Sequence, residues 1–171
     1  MLVVETERLI VRHFELSDVD ALTSLFGSPD VMRFSDGVKS VQWVRDWLKQ
    51  CIEDVDQNIG VAPWAVDEKN SSETIGYCGL FYFSDICGQS EIEVGFRFAR
   101  HRWGYGFATE AVCAVRDYAF RVLDIPRLIA LIDPQNTASI KVAEKAGFSY
   151  EKDVMLESYT HADRVYVNVR R

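Results

Sequence analysis

Cysteine, proline and positive charge are all scarce in this chain, and each shortage closes off a class of function. The four cysteines, Cys51, Cys78, Cys87 and Cys113, form no CxxC pair and have no histidine at metal-ligand spacing. Neither a disulfide framework nor a cysteine zinc site is therefore expected, and no metal. Lysine and arginine number 19 against 26 aspartate and glutamate, a net charge of −7. That is the wrong sign for a protein whose affinity comes from neutralising phosphate backbones. No run of about 18 apolar residues is present to span a bilayer, and the opening MLVVETERLIVR lacks the basic-then-apolar order of a signal peptide. The expected location is cytoplasmic, with neither nucleic acid nor membrane as partner.

What remains is the composition of a folded domain, 48% hydrophobic, 12% aromatic and 26% charged, which excludes intrinsic disorder. At roughly 150 residues per domain, the 171 residues make one domain spanning 1–171. No internal repeat, low-complexity tract or interdomain linker divides it.

Periodicity sets the element order. Leu9 to Phe14 alternates as a strand, and a helix with Val19, Leu22, Leu25 and Phe26 at helical spacing follows Ser17 as N-cap and stops at Gly27. Ser28-Pro29-Asp30 opens a short helical turn, and Ser40 to Val55 carries an amphipathic helix of about four turns. Gly60–Asp67 and Thr74–Phe83 read as a meander, and a third run, Ser90–Ala99, is the most clearly two-faced strand. It sets Ile92, Val94, Phe96 and Phe98 on one face, and Glu91, Glu93, Gly95 and Arg97 on the other. A glycine loop and a helix to Arg121 come next, then a strand from Pro126 to Ile132 and a helix capped by Asn136 or Thr137 and closed by Gly147. Strand-like runs Phe148–Glu157 and His161–Val169 finish the chain. The sum is an α+β domain, about seven strands in a mixed, mostly antiparallel sheet with about four helices. Its parallel, helix-linked part lies around residues 90–132.

The loop from Trp103 to Ala108 is the informative feature. A helix that starts at a glycine turn offers unpaired N–H groups and the positive end of its dipole, a ready phosphate site. Gly104, Gly106 and Ala108 let a ligand approach the backbone, and Arg97, Arg100 and Arg102 precede them. The loop does not fit G-x-x-x-x-G-K-[ST], and as G-x-G-x-x-G it has Thr109 at the third glycine.

Glu93-Val94-Gly95-Phe96 followed by Trp103-Gly104-Tyr105-Gly106-Phe107-Ala108-Thr109-Glu110-Ala111 resembles the acetyl-CoA-binding motif of the GNAT N-acetyltransferase superfamily, in its RimJ/RimL-like (ribosomal-protein N-terminal acetyltransferase) branch. Thr6-Glu7-Arg8-Leu9-Ile10-Val11-Arg12 resembles that branch's opening strand, and Asp30-Val31-Met32-Arg33-Phe34 its early turn. Asp133-Pro134-Gln135-Asn136-Thr137-Ala138-Ser139 and Glu144-Lys145-Ala146-Gly147-Phe148 resemble its distal motif. Trp103 stands where the superfamily usually has Gln or Arg. The resemblance implies a GNAT-like domain with two central parallel strands splayed apart. It implies that acetyl-CoA is held by Phe96, Arg97 and Phe98, by Arg102, Trp103, Gly104, Tyr105, Gly106, Phe107, Ala108 and Thr109, and by Asn136 and Ser139.

Acyl transfer to an amine needs a proton acceptor, an oxyanion site and a proton donor for the departing thiolate. Glu93 is the expected base, with Glu91 as the competing carboxylate. Backbone N–H groups near Val94 to Phe98 would meet the oxyanion. Ser139 is the expected acid, with Tyr150, Tyr159 and Tyr166 as other candidates. By resemblance the acceptor, a protein N-terminal amine or a small-molecule amine, lies near Phe34, Trp43, Trp47, Tyr82 and Tyr159. No cysteine stands in the motif to form an acyl-enzyme, so direct attack in a ternary complex is expected, by a monomer or homodimer. The alternative is a non-catalytic acyl-CoA-binding sensor or partner-binding module.

Overall fold

The computed structural model describes residues 1–54, 60–156 and 160–170. Eight strands, β1 (Leu2–Glu5), β2 (Leu9–Arg12), β3 (Pro63–Glu68), β4 (Glu73–Ile86), β5 (Gln89–Phe98), β6 (Arg127–Ile132), β7 (Ser149–Val154) and β8 (Asp163–Val169), form one sheet. Four helices accompany it: α1 (Val19–Phe26), α2 (Val41–Asp54), α3 (Phe107–Arg121) and α4 (Thr137–Lys145). The strand order is β1-β2-β3-β4-β5-β6-β8-β7, and β5–β6 is the parallel pair. No helix among the described residues is long and apolar enough to cross a membrane.

The mixed α+β class and the parallel step near residues 90–132 agree with the sequence reading, while the strand count rises from seven to eight. The extra strand, β1, is a four-residue edge segment with no buried position, so it carries no hydrophobic alternation to read. Val55 and Glu157, where two predicted elements were to end, lie outside the described residues. The cap of the first helix also differs. Buried Asp18, not Ser17, closes the turn, accepting the Glu15 N–H at 2.8 Å while Arg12 grips its carboxylate at 2.8 and 2.9 Å.

Two apolar layers sandwich the sheet. On one face α3 and α4 bury Phe107, Ala111, Val115 and Ala143 against Val94, Phe98, Leu128 and Ala130. On the other, α1 and α2 bury Leu22, Leu25, Val44 and Leu48 against Ala65 and Tyr77. The period-two alternation of β5 thus sends its apolar residues toward α3 and Glu93 and Arg97 toward the opposite side.

Hydrogen-bond parity along β5 explains how the sheet opens. Ala99 N–H donates to the Ile75 carbonyl at 2.9 Å, continuing the β4–β5 register in which Gly76 faces Phe98. Bonded pairs alternate in an antiparallel ladder, so Arg97, Gly95 and Glu93 also bond to β4, and the backbone groups of Val94, Phe96 and Phe98 point toward β6. The one ladder pair between β5 and β6 is Glu93 with Ile129. Beyond it the strands part, and the Leu131 N–H of β6 donates to the Glu93 carboxylate at 3.2 Å. The N–H groups of Phe96 and Phe98 therefore face the opening with no ladder partner.

Candidate active site

The loop before α3 is a set of aimed amides. Gly104 (φ 84°) and Gly106 (φ 83°) adopt the left-handed conformation that glycine accepts without strain. A β-carbon at Gly104 would meet nothing within 4 Å, so the requirement there is conformational. Gly106 is the N-cap of α3 and supplies no side-chain bond, leaving the first N–H groups of the helix to a ligand. Among the described residues, the N–H groups of Gly104, Tyr105 and Gly106 also have no hydrogen-bond acceptor.

These amides border a cavity of about 1350 Å³ that runs through the splay between β5 and β6, larger than the roughly 300–1,000 Å³ of an ordinary small-molecule pocket. Phe96, Phe98, Trp103, Gly104, Gly106, Phe107, Ala108 and Thr109 line it, and so do Asn136 and Ser139 from the start of α4. Tyr105 does not: its exposed ring stacks on Phe107 at 5.9 Å, outside the cavity lining. Trp103 donates its indole N–H to the Phe98 carbonyl at 2.7 Å, fastening the loop to the open edge of β5. Asn136 is the cap of α4, accepting the Ser139 N–H at 3.1 Å.

The three arginines that precede the loop do not converge. Arg97 points to the α1–α2 side, where it donates to Ser35 Oγ at 2.7 Å and lies over the Phe26 ring at 5.4 Å. Arg102 is held by Glu73 at 2.6 Å and Glu68 at 3.1 Å. Arg100 lies over Trp103 at 4.8 Å, with Asp30 3.6 Å away. All three border the cavity, but backbone amides and the α3 dipole, not guanidinium groups, dominate its loop end.

Glu93 sits at the branch point of the two strands and lines the cavity. Burial raises its pKa from 4.5 to about 7; nearby Asp163 adds to the rise, and the Leu131 N–H and Arg97 oppose it. A carboxyl so placed exchanges protons near neutrality. Glu91, two residues away, is buried but bound to Arg127 at 2.9 Å and lies outside the cavity lining. Tyr150 and Tyr166 pack edge to face at 6.1 Å, also outside it. Tyr159 lies outside the described residues.

Of the aromatic residues expected around an acceptor, Phe34 lines the cavity. Trp43 and Trp47 stack on each other at 6.1 Å, with Trp47 packed into the α1–α2 core, and Tyr82 is exposed. The wall is instead made by Tyr77 and Phe81 of β4, with Phe81 directly opposite Glu93 in the ladder. A β-carbon on Gly95 would come within 2.7 Å of the Phe81 ring, so glycine there gives the ring its place. Alternation along β4 was the available signal for this pair. Asp133 and Asp163 complete the same end, with His161 Nε2 3.0 Å from Asp133 and 3.3 Å from Asp163. Burial raises the Asp163 pKa. These two residues stand opposite each other at the ends of β6 and β8, 30 positions apart in sequence, a proximity that no local pattern announces.

Residues 8–149 match the family model described as acetyltransferase (GNAT) domain. Among curated relatives, the uncharacterized protein YkkB of Bacillus subtilis is 38% identical over 87% of this chain and 86% of its own. The uncharacterized N-acetyltransferase p20 of Bacillus licheniformis is 33% identical over 96% and 90%. Among solved structures, an acetyltransferase from Agrobacterium tumefaciens aligns with a TM-score of 0.83 at 26% identity, covering 98% of this chain and 94% of that one. The same fold recurs in RimL, a ribosomal-protein acetyltransferase in complex with coenzyme A (TM-score 0.82, 18% identity, 99% and 98% covered). It recurs again in spermidine N-acetyltransferase from Vibrio cholerae in complex with CoA and spermine (TM-score 0.77, 16% identity, 96% of each chain). The chain belongs to the acetyltransferase (GNAT) domain family and is an acyltransferase of its acetyl-CoA-dependent class.

Proposed function

We propose that this enzyme transfers the acetyl group of acetyl-CoA to a primary amine by direct attack in a ternary complex, with Glu93 as base. The observation that carries this reading is the position of Glu93. It is a carboxyl of pKa about 7 on the strand that leads into the amide loop, at the point where β5 and β6 separate. The pyrophosphate lies on the N–H groups of Gly104 to Thr109, at the positive end of α3. The pantetheine arm follows the open edge of β5, where Phe96 and Phe98 offer backbone groups, and passes Asn136. The acceptor ammonium gives a proton to Glu93 and its nitrogen attacks the thioester carbon. The C–N bond forms first, giving a tetrahedral oxyanion held by β5 amides; as it collapses the C–S bond breaks, Ser139 Oγ protonates the departing thiolate, and the nitrogen's second proton replaces the one Ser139 gives up.

Asp133 and Asp163, beside Glu93 in a chain of net charge −7, support a cationic acceptor. The ordered motifs from Thr6 to Phe148 support a RimJ/RimL-like reading, under which the acceptor would be a protein N-terminus; the fold shared with a spermidine enzyme keeps small polyamines in the comparison. Purified protein with acetyl-CoA and a panel of N-terminal peptides and polyamines should release free CoA with one class. CoA binding without release from any acceptor would contradict turnover.

A further inference from the structure

The Thr6-Glu7-Arg8-Leu9 segment is used by nothing in the reaction above, yet it is the most heavily tied side-chain network at the amide loop. Arg8 lies in the turn between β1 and β2. It donates its backbone N–H to Glu110 Oε1 at 3.0 Å and its Nε to Glu110 Oε2 at 2.7 Å, with Nη2 2.6 Å from that same oxygen. Thr6 donates its hydroxyl to Glu110 Oε1 at 2.6 Å. The remaining arm of the fork, Nη1, donates to the Tyr105 carbonyl at 2.9 Å, and the guanidinium lies over the Phe107 ring at 4.6 Å.

Glu110 falls in the first turn of α3. An unpaired carboxylate there would compete with any anion for the positive helix end, whereas one that accepts three hydrogen bonds is neutralised where it stands. These bonds hold its pKa below the ordinary carboxylate range against the effect of burial. The bond to Tyr105 acts on geometry. In a planar trans peptide the carbonyl of one residue and the N–H of the next point in opposite directions. Fixing the Tyr105 carbonyl on Arg8 therefore aims the Gly106 N–H the other way, and Gly106, not Tyr105, lines the cavity.

We infer that Arg8 is a positioning residue for acetyl-CoA: it fixes the amide loop through Tyr105 and removes the charge of Glu110 from the anion site. The inference rests on the reading that this loop holds the pyrophosphate. Calorimetry with CoA and steady-state kinetics with acetyl-CoA test it on Arg8→Ala, Arg8→Lys, Glu110→Gln and the Arg8→Ala/Glu110→Gln double variant. Arg8→Ala is expected to weaken CoA binding about tenfold, equivalent to about 1.4 kcal/mol, with the change falling on KM for acetyl-CoA more than on kcat. Adding Glu110→Gln should restore part of that loss, since the unpaired carboxylate is gone; a purely structural clamp, already broken in Arg8→Ala, would leave the double variant no better than the single one. Arg8→Lys, which keeps the charge but not the fork, is expected between the two, and it decides the matter if the alanine variant does not fold. Wild-type CoA affinity in folded Arg8→Ala, or in Arg8→Lys when that is the one that folds, overturns the proposal provided that Gly106→Asp abolishes binding. Unchanged affinity in Gly106→Asp overturns the loop reading and this proposal together.

Discussion

The two ends of the cavity are built from different material. The loop end is backbone: glycines with positive φ, the first amides of α3, and the unpaired edge of β5. The far end is side chain: Glu93, Asp133 and Asp163 beside Tyr77 and Phe81, drawn from three strands and the end of a fourth. Peptide amides bind a diphosphate whatever residues carry them, so the loop end tolerates change except where conformation or charge intervenes. The far end depends on which side chain stands at each place. Acceptor choice should therefore drift among relatives with this fold more readily than use of CoA.

Substitutions that strike one end alone break or sharpen this contrast. Gly106→Asp places a carboxylate and a strained φ at the amide loop. It should lower CoA affinity about 100-fold or more, read by calorimetry, while the thermal transition shows a folded protein. Asp163→Asn should do the reverse, leaving CoA affinity unchanged and raising KM for a cationic acceptor about twofold to fivefold, the range of a partly screened charge pair. Because the Asp163 charge adds to the raised pKa of Glu93, its removal should also move the acidic limb of the rate profile to lower pH. Asn136→Ala removes the cap that receives the Ser139 N–H and should cost about 1 kcal/mol of stability in denaturant titration.

Stability itself carries a pH signature of the far end. Between 4.5 and about 7 the folded chain holds a proton on Glu93 that the unfolded chain has released. Folding is therefore favoured by this group at low pH, and its contribution is lost as pH rises through that window. Glu93→Gln does not titrate, so the variant should gain stability relative to the parent chain between those limits.

The same division governs what could be read from the sequence. Gly104 and Gly106 ahead of an amphipathic helix announce a turn with positive φ and free amides, and the strand-loop-helix-strand order of residues 90–132 announces the parallel step. Both are local patterns, and both are found in the structure. The arginine partners are not local: Glu68 and Glu73 reach Arg102 from across the β3–β4 turn, and Ser35 reaches Arg97 from the α1–α2 connection. A cluster of arginines in sequence thus became three separate tethers. The acidic end was hidden for the same reason, since Asp133 and Asp163 meet only through the β6–β8 register. Glu93 was visible by its place before the loop, whereas its distinction from Glu91 needed Arg127, 36 residues further on.

The most direct test of the account is the pH dependence of kcat/KM for the best acceptor, measured on the parent chain and on Glu93→Gln. The parent should gain about tenfold per pH unit up to a limb near 7 and level off above it. Glu93→Gln should be slower by about 100-fold or more on the plateau, with that limb gone and CoA affinity retained. An identical limb in both proteins would place the base elsewhere and contradict the account.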